Sequence, residues 1–206
     1  MNFDITSMKQ RAKMLMKETK PSPKLFGIVF EILAIFYVIL FFFLFSKSLF
    51  LVAVLAELVY LNFRTCRNWY ALKLTREEKT SFSDCFCVFQ SKTGAKAILL
   101  GIVRELLWAV GAAVLIVGAI FPIYWFRFAP YVMKDEDTSV FKALAESKKL
   151  LKGHYSELIK LDILCIIWQV IVFFTNGIAG FYAKPYVAIL YAEFYDYLKA
   201  CKELNA

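Results

Sequence analysis

At 206 residues, 60% hydrophobic and 17% aromatic, with a mean hydropathy of +0.59, the chain is too apolar for an ordinary water-solvated domain of its length, and a bilayer is the expected solvent for much of it. Its formal net charge of +8, from 25 Lys+Arg against 17 Asp+Glu, gathers between the apolar runs, which points to topology and anionic lipid rather than nucleic acid. No phosphate-binding loop, Ser-His-Asp set or dinucleotide fingerprint is present, so no reaction is indicated.

Residues 1–24 are charged and patterned, too long for the n-region of a signal peptide, and no small-residue cleavage site follows the next apolar run, so the first span is expected to be retained. Ile5, Met8, Ala12, Leu15 and Met16 share one helical face and Lys9, Arg11, Lys13 and Lys17 the other, with Ser7 and Gln10 placed as a capping box. The spacing predicts an interfacial helix on the membrane, ended by Pro21 and Pro23. Residues 25–45 supply the ~20 apolar positions of a crossing. Ser46-Lys47-Ser48 turn the chain, and residues 49–63 return toward Arg64, Arg67 and a Trp69-Tyr70 pair, read as an interface anchor.

Residues 64–96 read as a polar connector. Residues 97–133 are nearly twice the length of one span and are broken by Gly118 and Pro122, which predicts two spans, 97–117 and 121–133, the second short and either tilted or partly re-entrant. Asp135, Glu136 and Asp137 then read as the N-terminus of an amphipathic helix within 134–160, with Lys148, Lys149 and Lys152 at its C-terminus, Gly153 as its stop and Val140, Phe141, Leu144 and Leu151 as its apolar face. Residues 161–174 cross outward, residues 176–185 turn, and residues 186–198 cross back. The expected fold class is all-α: one polytopic transmembrane helical bundle over 1–206, of about six spans with amphipathic interfacial helices, both termini being cytoplasmic by the positive-inside rule.

Glu31, Glu57, Arg104 and Glu105 lie at similar depth in their spans, with Arg127 and Glu193 nearer the boundary, and small residues such as Gly27, Ala34 and Gly111 share their faces. Two readings of this charge cluster are open. One is a set of buried ion pairs that fixes helix register; the other is a hydrated, acid-lined vestibule for a cation, a proton or a peptide segment. Lys142, Lys148, Lys149, Lys152 and His154 are expected to face anionic lipid or a protein partner. His154, the single histidine, has no acid or thiol ligands beside it, and the 5 cysteines lack zinc or redox spacing, so no metal, cofactor or disulfide is expected.

Lys152-Gly153-His154, Ile166-Ile167-Trp168, Gly177-Ile178-Ala179-Gly180, Pro185-Tyr186 and Ala192-Glu193-Phe194-Tyr195 resemble the motifs of an uncharacterised bacterial integral-membrane family, domain of unknown function 975, over about the C-terminal half. The chain departs from that pattern at 117–122, where the family tends to have an Ile-Pro-Gly turn, and at Cys165 to Trp168, which lacks the usual Gly. The resemblance implies a helical bundle in a bacterial plasma membrane and supplies no catalytic residues. The functional expectation is a non-enzymatic membrane scaffold or accessory subunit of a membrane complex, the alternative being a small transporter or channel component that uses the Glu/Arg cluster. Its expected partners are membrane lipids, a protein or a second copy of the chain, and not nucleic acid.

Overall fold

The computed structural model describes residues 3–19, 22–46, 49–86, 94–114, 124–175 and 177–204. Its architecture is all-α. In chain order the helices are α1 (Ile5–Glu18), α2 (Pro23–Ser46), α3 (Phe50–Thr75), a 3-10 turn at Phe82–Phe86, α4 (Gly94–Val114), α5 (Ala129–Glu136), α6 (Val140–Leu151), α7 (Tyr155–Phe174) and α8 (Gly180–Leu204).

Helix α1 starts where a carboxylate meets its free amides. Asp4 accepts from Thr6 N at 2.9 Å and Ser7 N at 3.3 Å, while Ser7 Oγ donates to Asp4 O at 2.9 Å. The cap is therefore Asp4, three residues before the Ser7 box expected from sequence. Met8, Ala12 and Met16 are buried, and the helix packs on α8 and α2. The apolar face predicted from spacing is the one used, but other helices of the same chain cover it.

Helices α2 and α3 form an antiparallel hairpin, as their stacked ring pairs show: Phe26 on Tyr70 at 3.9 Å and Tyr37 on Tyr60 at 4.5 Å. Each such pair contributes about 0.5–1.5 kcal/mol beyond its area. Helix α3 continues past 63 to Thr75, so Trp69 is core and not an interface anchor. It is 1% exposed, its Nε1 donates to Pro130 O at 2.9 Å, and Lys134 Nζ lies 5.1 Å from the ring.

Helix α8 is the hub, packing against α1, α2, α3, α6 and α7. Its tight seam with α2 has a local cause. Pro185 lacks an N–H, so the carbonyl four residues earlier, Phe181 O, loses its helical donor. That carbonyl faces Gly27, where a Cβ would stand 1.8 Å from the oxygen. One step along the seam Gly180 faces the carboxylate end of the Glu31 side chain, which can shift, so it is at Gly27, against backbone, that the approach depends on the missing side chain.

The acidic run 135–137 has a different role from the one predicted. Asp135 and Glu136 finish α5, Asp137 ends it in the left-handed region at φ 42°, and Ser139 takes the N-cap position of α6. Gly153, at φ +93°, stops α6 as expected, because a left-handed turn is least strained at glycine.

The six-span topology is not what the structure contains. Among the described residues one helix, Pro23–Leu44, is long and apolar enough to cross a membrane, with 17% of it buried in the molecule. The apolar runs elsewhere were overcounted because the described helices that hold them are short or are interrupted by charged residues. Helix α7 carries Glu157, Lys160 and Asp162, helix α5 is 8 residues long, and helix α8 carries Lys184, Glu193, Asp196 and Lys199 and buries much of its length in the molecule. The predicted 117–123 turn and the start of the fourth span lie outside the described residues. With the six crossings go the multi-pass plasma-membrane placement with both termini cytoplasmic, the membrane scaffold role and its transport alternative.

The assignment of lipids as partners is corrected as well, since Lys148, Lys149 and His154 meet groups of the chain itself. Lys148 Nζ sits 4.0 Å from the centre of the Trp125 ring and Lys149 Nζ 2.8 Å from Glu146 Oε1. The His154 ring packs edge-on against Tyr197 at 5.8 Å, while Lys142 and Lys152 are exposed. Six residues of α6, including Val140, Leu144 and Leu151, are buried in the bundle, whereas Phe141, expected on the same apolar face, is exposed.

Candidate functional site

Three segments frame a cavity of about 330 Å³ beside α3. Helix α7 presents Asp162, Cys165, Ile166 and Gln169, and α8 presents Lys184, Val187, Ala188 and Tyr191. Both sets follow the i, i+3, i+4, i+7 spacing of a single helical face. Tyr124 and Arg127 come from the turn before α5, and Arg67 and Asn68 from α3.

Arg127 anchors one wall. Its Nη1 donates to Asp162 Oδ1 and to Tyr191 OH at 2.9 Å, and Tyr191 OH donates to Asp162 Oδ1 at 2.6 Å. The guanidinium carbon lies 5.1 Å from the Tyr124 ring and 5.0 Å from the Tyr191 ring, so two π faces hold the cation from the sides. Burial, with the Asp162 charge, pushes the Tyr191 phenol up, which keeps it protonated and donating. Burial also pushes the Cys165 thiol up to about 11, leaving it as a thiol at neutral pH.

On the other wall Lys184 Nζ meets Glu31 Oε2 at 2.6 Å, and Glu31 Oε1 is buried without a hydrogen-bond partner. Arg67 differs from the other cations. No carboxylate among the described residues lies within 4.0 Å of it, and its buried Nε has no hydrogen-bond partner.

Of the charges picked out in the sequence, Arg104 and Glu105 meet each other, while Glu31, Arg127 and Glu193 pair with residues outside that set. Glu31 pairs with Lys184, Glu105 with Arg64 at 3.4 Å and Arg104 at 3.8 Å, Arg127 with Asp162, and Glu193 with Arg11 Nε at 3.2 Å. Glu57 belongs to α3, and its side chain lies outside what the structure describes. Arg67, Asp162, Lys184 and Tyr191 were missed as site residues. The available signal was polar positions recurring at the ends of seven-residue strides in otherwise apolar runs, 162 to 169 and 184 to 191.

A second polar cluster ties the helix ends together. Asp135 accepts from Arg76 Nη1 at 2.5 Å, Lys199 Nζ at 2.6 Å and Tyr195 OH at 3.0 Å, while Arg76 also donates through Nε and Nη2 to Asp196 at 3.2 and 2.9 Å. Burial opposes the Asp135 charge, but the hydrogen bonds from Arg76 and Lys199 outweigh it and hold the carboxyl well below the usual carboxylate range. Beside it, Arg11 Nη2 donates to Thr75 O at 2.7 Å, so α1, α3, α5 and α8 share one charged joint.

The fold and this site define an all-α protein with a charged interhelical cavity. Residues 112–202 match the family model described as Protein of unknown function (DUF975). The matched stretch contains Arg127, Asp162, Lys184 and Tyr191, whereas Arg67 precedes it. No curated protein and no solved structure matches the chain.

Proposed function

We propose that the chain is a non-enzymatic recognition module, with the α3/α7/α8 cavity as the place where a small polar molecule is held. The observation that carries this reading is that the reactive side chains around the cavity are buried or already engaged by one another. Asp162 is occupied by Arg127 and Tyr191, so it is a poor general base. Tyr191 is held protonated and Cys165 remains a thiol, so neither is an activated nucleophile. What the walls offer is fixed charge, hydrogen bonds and the apolar surface of Ile166, Val187 and Ala188, as in sites that bind without reacting.

Two measurements on the full chain test this. Alkylation of Cys165 by iodoacetamide is expected to run slower than that of free cysteine at pH 7, and rates above free cysteine would mean an activated thiol and overturn the non-enzymatic reading. Thermal unfolding against a panel of small charged and neutral solutes is expected to show at least one rise in Tm that Ile166→Trp, which fills the cavity, abolishes. Rises that are all unchanged in Ile166→Trp, or no rise at all, would remove the cavity as the binding place.

A further inference from the structure

The cavity's lining is electrically lopsided. Arg127 is neutralised by Asp162 and Lys184 by Glu31, which leaves Arg67 as the cation without a carboxylate within 4.0 Å among the described residues. Its Nε is sealed from solvent and unbonded. That nitrogen has given up hydration without gaining an acceptor, an arrangement that is unfavourable for a cationic donor. Like charge from Arg64 adds to the deficit.

The group that completes this arrangement is an oxyanion. A guanidinium presents a planar fork of N–H donors matched to the paired oxygens of a carboxylate or a phosphate. Arg67 lines the cavity from α3 and the Glu31-paired Lys184 lines it from α8, so the uncompensated positive charge comes from Arg67 and Lys184 adds a hydrogen-bond donor. Ile166, Val187 and Ala188 give the rest of the wall an apolar surface, which suits a short hydrocarbon body behind a charged head. The geometry points to a site for a small organic oxyanion, with its head on the Arg67 fork beside Lys184 and its body against α7 and α8. This assignment rests on the reading of the cavity as a recognition site and adds the chemical class of what is recognised.

The test uses inorganic phosphate, succinate and chloride at matched ionic strength. Phosphate or succinate is expected to raise the Tm of the full chain above its value in chloride, with calorimetric binding weakened at least tenfold in Arg67→Met. Arg67→Met without ligand is expected to melt at or above wild type, because it removes a buried unpaired cation; Arg67→Lys keeps the charge, loses the fork and is expected to bind between the two. A response to phosphate alone or to succinate alone identifies the head group. Equal Tm in all three anions, or a response equally strong in Arg67→Met and Arg67→Lys, overturns the oxyanion assignment. A neutral or cationic solute whose binding is lost in Ile166→Trp and kept in Arg67→Met would overturn the assignment while leaving the recognition reading standing.

Discussion

Replacing Asp135 by Asn tests the charged joint with little change of shape. The carboxylate is 8% exposed and accepts from Arg76, Lys199 and Tyr195. A hydrogen bond to a charged group contributes about 1.5–3 kcal/mol. Arg76 keeps Asp196 after the change, so its loss falls at the low end, whereas Lys199 loses the one acid it pairs with among the described residues. Together these losses come to about 3 kcal/mol, the lower end of the cost of removing one partner from a buried pair. For a chain of this size that lowers Tm by about 6–12 °C.

The pH dependence gives the same reasoning a sign. Because the folded-state pKa of Asp135 lies below its ordinary 3.8, its contribution is fully present above that value and is lost as pH falls through the folded one. The gap between wild type and Asp135→Asn should therefore be full at pH 5–7 and narrow below about pH 4. Urea unfolding of wild type, Asp135→Asn, Arg76→Gln and the double variant measures both the loss and the coupling. A loss under about 0.5 kcal/mol at pH 7, or a coupling near zero, would refute the joint as a source of stability.

Gly27→Ala should destabilise by about 3 kcal/mol, the upper end for overpacking, because its Cβ would stand 1.8 Å from the Phe181 carbonyl oxygen and 2.7 Å from its carbon. Chemical denaturation reads this, and an unchanged midpoint would mean that α2 and α8 do not meet there. Glu193 behaves in the opposite sense to Asp135: burial lifts its carboxyl from 4.5 to about 7 against the pull of Arg11. Its favourable contribution is full below about pH 4.5 and is lost as pH rises through 7, so wild type should lose stability over that interval while Glu193→Gln does so less steeply. Parallel melting curves of the two proteins from pH 4.5 to 8 would count against that assignment.

Short-range features were legible because their causes lie within a turn or two of chain. The buried stripe of Met8, Ala12 and Met16, the Gly153 stop and the α2/α3 hairpin all follow from periodicity, conformational freedom and turn length. Trp69 was placed at an interface because its neighbours Arg64 and Arg67 are charged; its fate depends on Pro130, 61 residues away. The acidic run was assigned to the wrong helix for a similar reason. Asp135 serves Arg76 and Lys199, neither of which is near it in sequence.

By itself the sequence determined that this chain is helical, where several of its helices turn apolar faces, and that its C-terminal half carries the family's motifs. Only the tertiary structure decided how many of the described helices are long and apolar enough to cross a membrane, which charge answers which, and that Arg67, among the described residues, is left without an answering carboxylate beside a cavity. The division has one physical reason. Helix periodicity and capping act over a few residues, whereas hydrophobic burial and ion pairing depend on partners such as Glu31 and Lys184, 153 residues apart, that only packing brings together.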